Sequence, residues 1–370
     1  MGIAAATQGS KSAVLCLPIS LVLVAFLAHI GRLSGRSLQV GDEGVAVRDK
    51  KGNQIGSIHW IELSLVPETY DVAELRVKRR DNRLQKAILV PMQRDEAVIN
   101  RWSGSARFWE KHREIIRHMF APITQALVEE AQIGSGQLVL DVATGPGEPT
   151  LTLAELVGPQ GKISGVDPIP EMVAAARREA SRLELRNVQF DIAFADHLPF
   201  PADTFDAVVS RFGVMFFPSP LDAVREMLRV LKPGQKLAFA VWHSAERNPF
   251  HYSLSRVVDR FVHSPPLEQD ALDTFRFAAR GKLLEILIQA GVTAPAERLL
   301  QFTIHAPMLV DAFWALRLEM SKAREQISVL SPEQLTELKR QALESISEFS
   351  TDRGISFPAE VLIISGAKPR

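Results

Sequence analysis

Cysteine and net charge are what this sequence most clearly lacks. Cys16 is the only cysteine in 370 residues, which excludes an intrachain disulfide and a zinc site built from several thiolates. The 43 basic residues balance the 43 acidic ones, so the net charge gives no reason to expect nucleic-acid binding. The nine histidines show no HExxH or similar ligand spacing, and we predict no metal. An apolar fraction of 46% is that of an ordinary folded protein.

Two familiar nucleotide-binding motifs are incomplete in the stretch VLDVATGPGEPTL. An apolar strand ends at Asp141, a turn passes through Gly145 and Gly147, and a helix begins near Glu148, which together open a nucleotide-binding βαβ unit. A dinucleotide fingerprint needs a third small residue where Thr150 stands, and the Gly-Lys-Ser/Thr of a P-loop is missing. An acidic residue before the glycines suits a ligand with a positive end better than a pyrophosphate.

Three further predicted strands end in polar residues. Asp167 follows a strand that starts at Lys162, at a spacing from Gly147 that lets a carboxylate accept hydrogen bonds from both ribose hydroxyls. The next two strands end at Asp196 and at Arg211. Because open α/β sheets bind their ligands at the carboxyl ends of the strands, we expect these side chains to meet in one site.

From about residue 95 to the C-terminus the chain resembles the class I S-adenosylmethionine-dependent methyltransferases, in the branch of the ubiquinone/menaquinone-biosynthesis C-methyltransferases. The resemblance rests on VLDVATGPGEPTLTLA, GVDPIPEMVAAAR, FADHLPFPADTFDAVVSRFGVMFFPSP and REMLRVLKPGQKLAFAVW, in that order. It departs at Gln235, where the family usually has a second glycine. The resemblance implies an α/β fold with a doubly wound, mostly parallel, seven-stranded Rossmann-like sheet and a helical lid. It also implies S-adenosylmethionine as cofactor and a small, apolar or aromatic methyl acceptor, with a quinone precursor favoured.

The resemblance gives each polar residue of these motifs a role. It places Asp141 and the glycine turn at the methionine part of the cofactor, Asp167 on the ribose, and Asp196 on the adenine amino group. For Asp141 and Asp167 the alternative is that they cap the turns that follow. The cofactor-binding residues that it implies are Asp141, Ala143, Thr144, Gly145, Gly147, Asp167, Pro168, Ile169, Ala195 and Asp196.

The sequence offers few candidate catalytic residues, and methyl transfer from a sulfonium needs few. The leaving thioether is neutral, so positioning and water exclusion can supply most of the acceleration. Arg211 is a candidate for orienting a carbonyl or carboxylate of the acceptor, and His243 and His251 are candidate general bases. A structural role is the alternative for each of them. The apolar run from Phe212 to Phe217 fits core and cleft wall.

The front of the chain offers two patterns. Residues 12–31 carry no charge and are just long enough to span a bilayer, and the arginines that follow would lie on the cytoplasmic side. A cytoplasmic protein anchored to the inner face of the membrane is one interpretation, and a buried helix or a disordered leader are the others. Residues 38–91 alternate with period two between glycine turns, which predicts a small β-rich segment resembling a PRC barrel. This segment is either a fused front module or comes from an upstream start.

These patterns predict four segments: 1–37, a leader or anchor; 38–91, the barrel-like segment; 92–133, a helical cover; and 134–370, the methyltransferase domain, with a helical insertion at about 309–349. Residues 244–280 have the prolines of an irregular excursion, and Ala359–Ile364 suits a last antiparallel strand. Two other functions stay open, a nicotinamide oxidoreductase and a non-catalytic S-adenosylmethionine-binding module tethered at a membrane. The oligomeric state is left open.

Overall fold

The chain divides into two units, residues 1–95 and 96–370. The computed structural model describes five strands between residues 37 and 89, residue 99, and residues 102–262, 272–321 and 323–370. The predicted anchor at residues 12–31 therefore lies outside the described residues. Across the described part of the chain, no helix is both long and apolar enough to cross a bilayer.

The first unit contains the predicted antiparallel strands, arranged as two separate sheets. Strands β1 to β3 form one sheet, and β4 pairs with β5 in the other. Among the described residues, hydrogen-bonded pairing runs only within each of these two sheets, and the barrel-like arrangement stays a prediction. The strands are β1 (Ser37–Gly41), β2 (Gly44–Arg48), β3 (Gln54–His59), β4 (Ala73–Lys78) and β5 (Leu84–Leu89).

The second unit is built on one central sheet, whose strand order is β11-β13-β10-β9-β6-β7-β8, with the two-residue β12 paired to β13. Five neighbouring strands, β10 to β8 in that order, run parallel, while β13 runs antiparallel to both β10 and β11. The sequence prediction of a mostly parallel seven-stranded sheet is therefore confirmed. The strands are β6 (Leu138–Val142), β7 (Lys162–Asp167), β8 (Val188–Ile192), β9 (Phe205–Arg211), β10 (Leu231–Trp242), β11 (Thr293–Ala306), β12 (Ser350–Thr351) and β13 (Gly354–Ala367).

Helices connect and cover these strands. Helices α4 and α5 follow β6 and β7, and α6 joins β9 to β10, so the chain winds away from β6 in both directions. Because such parallel crossovers are right-handed, the two sets of helices lie on opposite faces of the sheet. The helices of this unit include α1 (Ala106–Lys111), α2 (Arg113–Met119), α3 (Ala121–Ala131), α4 (Thr150–Val157), α5 (Pro170–Arg182), α6 (Pro220–Val230), α7 (Pro249–Phe261), α8 (Lys282–Ala290), α9 (Val310–Met320), α10 (Ala323–Gln326) and α11 (Pro332–Ser347).

The core lies in the central strands, because their side chains are covered on both faces. Val139, Leu140, Val209 and Phe239 have no exposed surface, as expected for apolar runs in a parallel sheet. Strand order reverses between β6 and β9, and such a switch point leaves a crevice at the carboxyl ends of the two strands. The fold thus places the ends of β6 and β9 around one opening.

Helices α7 and α11 both have a proline in the first turn. Ser331 and Gln334 form a capping box at the start of α11: the Ser331 hydroxyl accepts from the Gln334 N–H at 3.3 Å, and the Gln334 amide accepts from the Ser331 N–H at 2.9 Å. The prediction that residues 244–280 are irregular is wrong for part of that range, because helix α7 occupies residues 249–261. Pro249 stands in the first turn of this helix, where its missing N–H costs nothing.

Candidate functional site

A cavity opens at the switch point of the sheet, and segments from several elements line it. It encloses about 1170 Å³, including the space of its open mouth. The loops after β6, β7, β8 and β9 form its floor and sides, and α1 and α2 contribute Trp109 and Arg113. Of the predicted site residues, it brings together Ala143, Thr144, Gly145, Asp167, Pro168, Ile169, Ala195, Asp196 and Arg211.

The turn after β6 has an unusual backbone. Gly145 lies at φ +56°, and a side chain added there would meet no atom within 4 Å, so the turn presents bare main chain to the cavity. Ala143 and Phe212 also adopt positive φ, at 62° and 63°, although neither is a glycine. Such conformations are costly for residues with a side chain and cluster at functional sites. Both strained residues line the cavity, one after β6 and one after β9.

Asp167, at the end of β7, is the carboxylate that the backbone holds most firmly. Its Oδ2 accepts from the Gly145 N–H at 2.9 Å, and its Oδ1 accepts from the Ile169 N–H at 3.0 Å. Burial raises the pKa of this carboxyl from 3.8 to about 6, although the two backbone hydrogen bonds oppose that rise. Each oxygen keeps a second lone pair, so the carboxylate can still accept hydrogen bonds from a ligand.

Asp141 and Gly147 do not line the cavity, contrary to the position that the resemblance implied. Asp141 has no exposed surface, and its Oδ2 accepts from the Thr150 hydroxyl at 2.8 Å. Burial raises the pKa of Asp141. Gly147 is buried at φ +113°, where a Cβ would lie 2.8 Å from Leu151 Cδ1. Both residues therefore shape the turn from below, because their contacts are with the start of α4.

Aromatic side chains also line the cavity, and we define the aromatic wall as Trp102, Trp109, Phe212, Phe216 and Phe217. Within it, Trp102 packs edge-on against Phe216, with ring centroids 5.0 Å apart. Phe212 in turn stacks on Trp242, which lies behind it, at 4.4 Å. Rings that brace one another in this way form a rigid apolar surface, which suits a flat or apolar ligand.

Two charged side chains, Arg211 and Glu148, interrupt this apolar surface. Arg211 is buried at the end of β9 and donates to the Thr124 hydroxyl at 2.8 Å. Glu148 accepts from the Thr152 hydroxyl at 2.8 Å, and burial raises its pKa while the Arg211 charge lowers it. The sequence analysis placed Glu148 at the start of α4, but the helix begins at Thr150, which leaves Glu148 on the cavity wall.

His243, the second predicted catalytic residue, is not on the wall of this cavity. Its Nδ1 lies 2.8 Å from Glu360 Oε2, and its N–H donates to the Glu360 carbonyl, so it is tied to the antiparallel strand β13. His251 also lies off the wall, packed edge-on against Trp242 at 4.5 Å. Burial holds the pKa of His251 well below 6.5. Neither histidine is therefore among the side chains that line the cavity together with the residues predicted to bind the cofactor.

Arg113 is a wall residue that sequence reasoning missed. Its Nε donates to the Pro146 carbonyl at 3.1 Å, inside the glycine turn, and Nη2 donates to the Ala175 carbonyl at 3.1 Å. Its Nη1 lies 2.9 Å from Glu179 Oε2 in a buried ion pair. No local pattern marks Arg113, because its partners are 33 to 66 residues away along the chain.

These residues fit S-adenosylmethionine better than a dinucleotide. Asp167 can accept from ribose hydroxyls, and the open main chain at Gly145 leaves room for the ligand. A pyrophosphate would need the start of α4, but the Glu148 carboxylate stands there and would repel it. Thr150 fills the position of the third small residue, with its hydroxyl bonded to Asp141.

Comparisons with known proteins agree with this fit. A family described as "Methyltransferase domain" matches residues 139–234. Aklanonic acid methyltransferase DauC from a Streptomyces species is 35% identical over 120 residues, which are 32% of this chain and 54% of the relative. Demethylmenaquinone methyltransferase from Listeria welshimeri is 37% identical over 170 residues, 43% of this chain and 72% of the relative. The chain thus spans about half the length of the Streptomyces relative and nearly three quarters of the Listeria one.

Similar solved structures include the YcgJ protein from Bacillus subtilis, at 20% identity and a TM-score of 0.44, covering 69% of this chain and 99% of that one. They also include a SAM-dependent methyltransferase from Aquifex aeolicus, at 26% identity and a TM-score of 0.38, covering 48% of this chain and 81% of that one. The relationship to the Listeria enzyme shows the family of this chain, because the chain covers 72% of that enzyme at 37% identity. The chain belongs to the class I S-adenosylmethionine-dependent methyltransferases, in the branch that contains the demethylmenaquinone methyltransferases.

Proposed function

We propose that this protein transfers a methyl group from S-adenosylmethionine to a small apolar or aromatic acceptor of the quinone-precursor class. The observation that carries the proposal is one cavity that combines a backbone-held carboxylate, Asp167, with the aromatic wall. The printed names of the relatives, aklanonic acid methyltransferase and demethylmenaquinone methyltransferase, support the acceptor class.

The cofactor side of the proposal rests on the loops after β6, β7 and β8. Asp167 would accept from the ribose hydroxyls, and Asp196 from the adenine amino group. Pro168, Ile169 and Ala195 would flank the adenosine, since all three line the cavity. Ala143, Thr144 and Gly145 would lie along the methionine part.

The acceptor side rests on the aromatic wall. Its rings can stack on a planar acceptor and bury an apolar substituent, which removes apolar surface from water. When bound, S-adenosylmethionine supplies an electrophilic methyl group on a positively charged sulfur. The part of the protein is to hold the acceptor in place and to exclude water, and the wall performs both tasks without a catalytic base at His243 or His251.

A direct transfer assay tests this proposal. Full-length protein with methyl-labelled S-adenosylmethionine should label a reduced short-chain demethylmenaquinone, because the hydroquinone ring is electron-rich and the chain is apolar. 1,4-Dihydroxynaphthalene, which has the same ring system and hydroxyls but no apolar chain, is the matched acceptor and should be labelled at least about tenfold less efficiently. Labelling of neither compound, together with binding of NADH, would replace the proposal by an oxidoreductase.

We also propose that residues 12–31 tether the protein to the inner face of the membrane. The support is their uncharged sequence and the arginines at 32 and 36. Deleting residues 2–31 should move the protein from the membrane pellet to the supernatant of a cell lysate. Retention in the pellet after deletion, or a supernatant location of the intact chain, would refute the tether.

A further inference from the structure

Two opposite charges line the cavity, and neither forms a salt bridge within the described part of the chain. Glu148 uses one oxygen for the Thr152 hydroxyl, and its Oε1 accepts no hydrogen bond from any described residue. Arg211 uses Nη1 for the Thr124 hydroxyl and forms no ion pair with a carboxylate in the described part of the chain. Both side chains line the cavity, which is otherwise mainly apolar.

Arg211 is buried and Glu148 is half-buried. An ionised group that is removed from water is destabilised unless it is paired and hydrogen-bonded. Glu148 and Arg211 feel each other's charge, but they do not form a salt bridge. A ligand that carries both a cation and an anion a few bonds apart would neutralise both at once. An α-amino acid end is such a ligand.

The position of Asp141 supports a ligand-binding role for Glu148. The resemblance implied that Asp141 serves the methionine part of the cofactor, but Asp141 has no exposed surface and lies beneath the turn, bonded to Thr150. Glu148 is the carboxylate that the same segment presents to the cavity. It follows the glycine turn directly, and the resemblance places that turn at the methionine part of the cofactor.

We propose that Glu148 and Arg211 form a clamp for the amino-acid end of S-adenosylmethionine, with Glu148 binding the ammonium group and Arg211 the carboxylate. This inference rests on the proposed function, since it concerns the same cofactor. Arg211 thereby becomes a cofactor-binding residue, whereas the sequence analysis assigned it to the acceptor. A planar guanidinium matches a carboxylate in shape and charge, which favours this pairing.

Calorimetric titration of the full-length chain with three thioethers tests the clamp. S-adenosylhomocysteine has both charged groups, S-adenosyl-3-thiopropylamine lacks only the carboxylate, and 5′-methylthioadenosine lacks both. Glu148→Gln should weaken S-adenosylhomocysteine and the amine by about 10- to 100-fold, because a hydrogen bond to a charged group is lost. Arg211→Gln should weaken S-adenosylhomocysteine alone. Neither variant should change the affinity for 5′-methylthioadenosine by more than about twofold, which also shows that both are folded.

The control and the contrary outcomes are defined by the same ligands. Glu155→Gln changes an exposed glutamate on α4 and should leave all three affinities unchanged. If the wild-type chain binds S-adenosylhomocysteine but Glu148→Gln binds it equally well, the clamp is refuted, and a fall in turnover alone would assign the pair to the acceptor. Equal weakening of all three ligands would also refute it. If the wild-type chain binds none of them, the proposed function itself fails. Glu148→Gln is isosteric and decides the matter even if Arg211→Gln is unstable.

Discussion

Replacing Asp167 by asparagine is expected to weaken the binding of S-adenosylhomocysteine by about 100-fold or more. The carboxylate accepts the N–H groups of Gly145 and Ile169 and would also accept from the ligand's hydroxyls. An asparagine amide must turn its NH₂ group toward one of these donors, so at least one hydrogen bond is lost and a donor meets a donor. Hydrogen bonds to a charged group contribute about 1.5–3 kcal/mol each, and two of them account for the expected loss. Calorimetric titration of both proteins measures it.

The pH dependence of binding gives the same prediction a second readout. Because burial raises the pKa of Asp167 to about 6, its proton must leave before the ionised carboxylate can accept from the ligand. Wild-type affinity should therefore fall about tenfold per pH unit below 6, while that of the asparagine variant should stay flat. The effect of this group on stability has the opposite sign: stability is greatest below pH 3.8 and is lost as pH rises through 6, by about 3 kcal/mol.

An aspartate elsewhere in the same sheet is the control that shows whether the loss of affinity is specific to the site. Asp191 lies on β8 and accepts from the Gln189 amide at 2.8 Å, but it does not line the cavity. Asp191→Asn should leave the affinity and its pH profile unchanged. An Asp167→Asn protein that binds S-adenosylhomocysteine as tightly as the wild type would assign Asp167 to the turn alone, as a capping residue.

The sequence could predict the sheet and the location of the site, because both depend on patterns that repeat along the chain. Apolar runs ending in polar residues predicted β6, β7 and β9, and the carboxyl ends of these strands meet in the observed cavity. The direction of individual side chains could not be predicted in this way. Asp141 faces α4 and Glu148 lines the cavity, because the backbone between them turns through three residues with positive φ, Ala143, Gly145 and Gly147, and no sequence pattern marks the first of these.

Contacts between distant segments of the chain also could not be predicted from the sequence. His243 follows a predicted strand, as Asp167 and Arg211 do, but the antiparallel strand β13 supplies Glu360 beside it and takes it out of the site. Arg113 shows the reverse case, since an ordinary arginine in an amphipathic helix becomes part of the cavity wall through carbonyls that the fold brings to it. Both outcomes are decided by tertiary packing.

The second large expected effect is the loss of stability on replacing Arg113. Arg113→Met is expected to lower the free energy of unfolding by about 3 kcal/mol, since it leaves the buried Glu179 with only the exposed Arg182 and leaves the Pro146 and Ala175 carbonyls without their donor. It should also weaken S-adenosylhomocysteine by about tenfold, because Pro146 lies within the glycine turn. Urea unfolding followed by circular dichroism measures the first effect and calorimetry the second.

Comparing Arg113→Met with Arg117→Met shows whether the loss of stability comes from the buried contacts or only from removing a positive charge on α2. Arg117 lies on the same helix and forms an exposed pair with Glu114 at 2.9 Å, so Arg117→Met should cost less than about 1 kcal/mol and leave ligand affinity unchanged. Combining Arg113→Met with Glu179→Gln should recover part of the stability, because the uncompensated carboxylate is gone, but none of the affinity, because the contact to Pro146 is still missing. Recovery of affinity in the double variant would mean that Arg113 acts on the site through Glu179 rather than through the turn.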